Sequence, residues 1–155
     1  MNHAGFLHSE RLKQAGFAHA FFTRQGGVSQ GAYASLNFSF GVGDDPECVN
    51  ENLRRAGHCL GVEPARICFV SQVHGRAVVA LAAEATRAEV MHQEGDAVVA
   101  LRGALACAVR TADCVPILLA DPQTGAVAAV HSGWRGTVAN VTQATVQCMT
   151  TEPSR

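Results

Sequence analysis

Three strand-like apolar runs lie close together in this sequence, Ala104–Val109, Val115–Ala120 and Ala126–Val130, and they constrain the fold more than any other feature. Asp121-Pro122-Gln123-Thr124-Gly125 separates the second run from the third and is a turn sequence able to bring strands antiparallel. The edges of these runs carry chemistry. Thr111-Ala112-Asp113-Cys114 lies between the first two, and the third delivers His131 into Ser132-Gly133-Trp134-Arg135-Gly136. One thiol and one imidazole are thereby placed at the ends of buried strands, where a rigid scaffold can position reactive groups.

The rest of the chain supplies more strands and two helices. Residues 1–16 are weakly patterned. Phe17–Thr23 reads as a strand and runs into a Gly-rich loop, Arg24-Gln25-Gly26-Gly27-Val28-Ser29, that continues to Leu36 and Asn37. The paired glycines indicate a tight turn in the first instance and a substrate loop in the second. A helix is expected from Asp45: the aspartate caps it, Pro46 suits the first turn, and Glu47 favours the positive end of the dipole. Val49, Leu53, Ala56 and Leu60 form its apolar stripe, Gly61 stops it, and Arg54 and Arg55 fall on the solvated face. Ile67–Val73, Ala77–Ala82 and Asp96–Leu101 read as strands, with residues 83–95 either a short helix or a variable excursion. After Gly136 a second amphipathic helix is marked by Val138, Val141, Thr145, Cys148 and Met149. The pattern is α+β rather than a βαβ alternation, in one domain spanning residues 1–155.

Composition excludes several functions. Hydrophobic residues make up 48% and charged residues 16%, as in a folded domain, and a formal net charge of −1 gives no footprint for nucleic acid or an anionic membrane. No apolar run approaches the ~18 residues of a membrane span. The start of the chain has no apolar signal core, so the expected location is cytoplasmic. Six cysteines without a C-x-x-C spacing are expected to be reduced.

His74 and His131 each end an apolar strand before a small residue, and Cys114 occupies the matching place after another. One Cys and two His are a reasonable ligand set for a metal, and three protein ligands with an open fourth place would make a catalytic site. Spacings of 40 and 17 residues match no local metal-knuckle motif. Two other readings use the same residues. Cys114 would be a nucleophile with His131 as base and Asp113 or a backbone group orienting the ring, or all three would be ordinary core residues. Arg135, near a helix start, suits an anion such as phosphate or a surface ion pair. Trp134 is expected to pack in the core.

Five segments carry a resemblance. They are F-x-T-R-x-G-G-V-S-x-G-x-Y-x-S-L-N from Phe21 to Asn37, then Gly43-Asp44-Asp45, Gln72-Val73-His74-Gly75, Thr111-Ala112-Asp113-Cys114-Val115-Pro116, and His131-Ser132-Gly133-Trp134-Arg135-Gly136. In this order they resemble the YfiH-like family, also called laccase-domain or polyphenol-oxidase-like proteins and described as purine nucleoside phosphorylases. The resemblance implies layered mixed and antiparallel sheets with flanking helices, similar to the cysteine deamidase fold. It implies a Zn²⁺ ion, or copper under the older label, on His74, Cys114 and His131, which would also form the catalytic group. Substrate contacts are implied from Arg135, Asn37 and Gln72. The implied reactions are phosphorolysis of adenosine, inosine, guanosine and methylthioadenosine, and deamination of adenosine. The competing expectations are a metal-free Cys–His amidase, a copper-dependent polyphenol oxidase, and an inactive fragment. Ser132 stands where the family has Ala. The family also continues beyond the helix after Gly136 into G-P-x-I-G and Y-E-V type motifs, neither of which occurs in these 155 residues. The C-terminal part is therefore expected to be lacking, with self-association through apolar surface near Val138–Met149.

Overall fold

The computed structural model describes residues 5–151 and divides the chain into two compact units, Met1–Pro64 and Ala65–Arg155. It is a mixed α+β structure with several small sheets and flanking helices, as the sequence pattern implies. No helix among the described residues is long and apolar enough to cross a membrane.

In the first unit, β1 (Phe6–Leu7) pairs antiparallel with β2 (Phe21–Phe22), and α1 (Glu10–Gln14) lies between them in sequence. The strand expected over Phe17–Thr23 contracts to β2 because His19 diverts the chain. Its Nε2 accepts from the Ser9 N–H at 2.8 Å while Nδ1 donates to the Phe17 carbonyl at 2.9 Å. The helix expected from Asp45 is α2 (Pro46–Leu60). Asp45 accepts from the Glu47 N–H at 2.9 Å, and Gly61 closes the helix at φ 70°, where a side chain would be strained.

Val49, Leu53 and Ala56 are buried on α2, and so is Asn52, which the apolar stripe does not reveal. Asn52 is fully buried and organises the Gly-rich loop. Its Oδ1 accepts from the Val28 N–H, and its Nδ2 donates to Ser29 Oγ, the Ser35 carbonyl and the Asn37 carbonyl. A Cβ on Gly27 would fall 2.0 Å from the Ser35 carbonyl oxygen, so glycine there permits close approach of the loop's two limbs. Arg55 is not simply solvated: it is half-buried and donates to Glu51 and to the Gly26 carbonyl at 2.7 Å.

The second unit is built on a four-stranded sheet in the order β4 (Val78–Leu81), β5 (Ala97–Ala100), β8 (Val127–Ser132), β7 (Val115–Ala120). β7 and β8 form the expected hairpin, closed by Asp121, which accepts from the Gln123 N–H and the Thr124 hydroxyl, and by Gly125 at φ 78°. β4 and β5 are parallel, while β5 and β8 are antiparallel. A separate parallel pair joins β3 (Ile67–Cys68) to β6 (Ala106–Cys107), both shorter than the runs that foretell them. Residues 83–95 hold a one-turn helix, α3 (Arg87–Val90), whose Glu89 carboxylate accepts from the N–H and hydroxyl of Thr86.

β5 is buried on both faces, which explains why Ala-Val-Val-Ala does not alternate with polar residues. Val98 and Ala100 pack with Cys68, Val70, Leu81 and Leu105, whereas Ala97 packs with Val130 and Val141. The helix expected after Gly136 is broken in two. α4 (Trp134–Val138) and α5 (Val141–Thr150) are separated by Asn140 at φ 60°, a left-handed conformation that ends one right-handed helix before the next begins. All six cysteines are free thiols. Burial pushes the Cys107 thiol up to about 12 and raises that of Cys68, which makes both inert.

Candidate metal centre

The side chains of His74, Cys114 and His131 converge although three different loops and strand ends supply them. One ligand atom from each lies within 4.8 Å of the others, and the two imidazoles meet edge to face with centroids 4.8 Å apart. His131 is the last-but-one residue of β8 and is buried, Cys114 directly precedes β7 and is half-buried, and His74 is exposed. The β7–β8 pairing aligns Val115 with Ser132, which fixes Cys114 beside the residues that follow His131.

One fully buried carboxylate, Asp96 at the entrance to β5, organises two of the three donors. Asp96 Oδ1 accepts from His131 Nδ1 at 2.8 Å and from the His74 N–H at 2.9 Å. Oδ2 accepts from the Gly75 N–H at 2.7 Å and the Val73 N–H at 3.3 Å. Burial works to raise the Asp96 carboxyl, but the His131 bond and the three backbone donors outweigh it and hold the group below its ordinary value. Because a carboxylate only accepts, it draws the His131 proton to Nδ1 and leaves the Nε2 lone pair for a ligand. The same carboxylate gathers the backbone N–H groups of residues 73–75 and holds His74 at φ 60°, a left-handed conformation uncommon for residues other than glycine.

Glycines make the convergence possible. A Cβ on Gly133 would lie 3.0 Å from Cys114 Sγ and 3.4 Å from His74 Cδ2. A Cβ on Gly136 would lie 3.0 Å from the Gly75 carbonyl oxygen. The segment Gly133–Gly136 therefore packs against two of the three donors through bare backbone.

The donor set fits a metal ion. It has two imidazoles and a thiol, one imidazole is oriented by a carboxylate, and one side is open to solvent at His74. Among the described residues it is the group of three or more His, Cys, Asp or Glu side chains able to do so.

Asp96 belongs to none of the sequence motifs; its signal is a charged residue opening an otherwise apolar run. Asp113, expected to orient His131, is exposed and makes no hydrogen bond among the described residues, because Asp96 already occupies Nδ1. Trp134 is not in the core: it is 74% exposed, since α4 turns Gly136 inward and leaves Trp134 and Val138 on its outer face. Arg135 is also exposed, lies 5.2 Å from the Trp134 ring centre, and has no carboxylate partner among the described residues. Gln72 exchanges two hydrogen bonds with the backbone of Arg110. Asn37 belongs to the first unit, where its amide donates to Asp44 and to the Ser39 carbonyl.

A family model described as multi-copper polyphenol oxidoreductase laccase matches residues 18–155. A Streptomyces griseus protein named purine nucleoside phosphorylase ORF3 is 48% identical over 86% of this chain and 54% of its own length. The Escherichia coli protein named purine nucleoside phosphorylase YfiH is 38% identical over 89% of this chain and 55% of its own. A crystal structure of a Neisseria meningitidis protein superposes with a TM-score of 0.71 at 41% identity, over 85% of this chain and 52% of that one. The chain spans about half the length of the relatives it matches.

Proposed function

Because this chain belongs to the YfiH-like family, whose model is described as multi-copper polyphenol oxidoreductase laccase, we propose that it carries the metal centre of a purine nucleoside phosphorylase. One coincidence supports the reading: three metal-type donors converge within 4.8 Å in a chain whose relatives bear that name. His74, Cys114 and His131 hold a single ion, for which Zn²⁺ suits the mixed nitrogen and sulfur set. A multicopper cluster needs more donors than one such trio provides. When bound, the ion supplies Lewis-acid stabilisation of developing negative charge.

The chain's own residues do the rest. Asp96 keeps the His131 proton on Nδ1, so the ring presents its other nitrogen inward. Arg135 holds phosphate through its planar fork, its charge not neutralised by a neighbouring carboxylate. In phosphorolysis a phosphate oxygen forms a bond to the ribose C1′ as the bond from C1′ to the purine nitrogen breaks. The bond pair leaves with the base, which takes a proton, and the sugar departs as its 1-phosphate. The substrates are adenosine, inosine, guanosine and methylthioadenosine. In deamination of adenosine a water oxygen forms a bond to C6 as the C6–N bond breaks and ammonia leaves, and the same three residues would hold the ion that supplies Lewis-acid chemistry there. The working location is the cytoplasm, where phosphate and nucleosides are at hand.

Incubation of the purified chain with Zn²⁺, inosine and phosphate tests this. Hypoxanthine and ribose 1-phosphate should accumulate together and stop on chelation. Absence of base release from the fully metal-loaded chain contradicts the phosphorylase reading, and chelator-resistant turnover would favour a Cys114–His131 dyad.

A further inference from the structure

Asp96 ties His74 to His131, but it does not reach Cys114. That donor enters the site by a poorly anchored path. Thr111, Ala112 and Asp113 are exposed and make no hydrogen bond among the described residues, so Arg110 is the last fixed residue before Cys114. Arg110 is fixed by the segment that leads to His74. The parallel pairing of β3 with β6 ends at Cys68 and Cys107, with one further backbone bond from the Ala108 N–H to the Cys68 carbonyl. Beyond that point Gln72 takes over. Its Nε2 donates to the Arg110 carbonyl at 2.8 Å, and its Oε1 accepts from the Arg110 N–H at 2.8 Å. A carboxamide has the donor and acceptor of a peptide group, so the side chain continues the ladder where the backbones have separated. The Arg110 guanidinium adds two anchors, donating to the Val70 carbonyl at 3.2 Å and lying 4.5 Å from the ring centre of Phe69. Phe69 and Val70 are both buried, so these anchors are rigid.

We propose that Gln72 is a positioning residue for the metal centre: by clamping Arg110 it sets the distance between the loop carrying His74 and the loop carrying Cys114. The inference rests on the metal reading of the trio and not on the phosphorylase reading. Gln72 is two residues from His74 and Arg110 is four from Cys114, so loosening the clamp lets the thiolate drift from a site whose two imidazoles stay in place. Outer-shell partners of this kind are worth roughly 10–100-fold in metal affinity.

The test compares Gln72→Met, which keeps the volume and removes both bonds, with Gln72→Glu, which keeps the acceptor but faces the Arg110 carbonyl with a second oxygen. Co²⁺ is the probe. Affinity is measured by competition titration, the thiolate-to-cobalt absorption band at saturating metal, and the melting temperature without metal. Gln72→Met should lose roughly 10–100-fold in Co²⁺ affinity and weaken the thiolate band even at saturation, with little change in the metal-free melting temperature. Gln72→Glu should fall between Met and wild type, and it carries the test if the Met variant does not fold. Affinities within about twofold of wild type and an unchanged band would overturn the proposal. So would an affinity loss that tracks a fall in metal-free melting temperature while the saturated band stays intact. A wild-type chain that binds no Co²⁺ would overturn it together with the metal reading, whereas wild-type binding with unaltered variants overturns it alone.

Discussion

Each unit of this chain is organised by one fully buried polar side chain, Asn52 in the first and Asp96 in the second, and their difference separates scaffold from chemistry. Asn52 has both donors and an acceptor, and all of them close on the loop from Val28 to Asn37. Nothing is left over to act on a ligand. Asp96 can only accept, so it collects N–H groups, three from the backbone of residues 73–75 and one from an imidazole. That imidazole has a second nitrogen. A buried amide thus completes a fold, while a buried carboxylate passes order outward through His131 to whatever the ring binds.

Breaking the Asp96 hub should have the largest effect. Asp96→Asn keeps the shape but sets an amide N–H₂ among N–H donors. It should cost about 3 kcal/mol of stability and weaken Zn²⁺ binding roughly 10–100-fold. Denaturant melts and competition titration measure the two. Asn52→Ala should cost about 2 kcal/mol by removing all four bonds that the buried amide makes to the loop, yet it should leave Zn²⁺ affinity unchanged, because all three donors lie in the second unit. A fall in affinity of the folded Asn52 variant would erase the contrast between the two hubs.

Gly133→Ala sharpens the comparison from the ligand side. The new methyl would press on Cys114 Sγ at 3.0 Å and His74 Cδ2 at 3.4 Å without touching either hub. It should cost about 1 kcal/mol and reduce Zn²⁺ affinity by tenfold or less, less than Asp96→Asn. The smallest effect belongs to Glu51 on α2. Hydrogen bonds from Arg54 and then Arg55 lower its carboxyl from 4.5 to about 2. A carboxylate held low in the folded state contributes stability that is present above about pH 4.5 and is lost as pH falls through about 2. Glu51→Gln should therefore destabilise the chain by under about 1 kcal/mol at pH 7, and the gap to wild type should close on acidification. A gap that persists at pH 2 would show that the ion pairs are not its source.

Much of the fold was legible because it rests on local signals. Asp45, Pro46 and Gly61 mark both ends of α2, and the Asp121–Gly125 turn with its flanking apolar runs marks the β7–β8 hairpin. The short strands were overdrawn because apolar runs such as Ile67–Val73 are also buried where the backbone leaves the ladder: Phe69 and Val70 lie in the core outside β3. The trio of donors was legible because each borders an apolar run of the sequence, together with the family resemblance, although only His131 lies within a strand. Asp96 and the Gln72–Arg110 clamp were not, because they join residues 21 to 38 positions apart through side-chain bonds that leave no periodic trace. The exposure of Trp134 was not legible, because a lone tryptophan favours the core whereas α4 turns Gly136 inward and Trp134 outward.

If His74, Cys114 and His131 together hold a metal ion, the bound stoichiometry must be one per chain. Native mass spectrometry of the purified chain titrated with Zn²⁺ tests it most directly. One ion should bind per folded chain, with tight binding lost in His74→Ala and in Cys114→Ser while Asn52→Ala still takes up one ion. Binding of no ion by the folded wild-type chain, or full retention of the ion by either ligand variant, would contradict it.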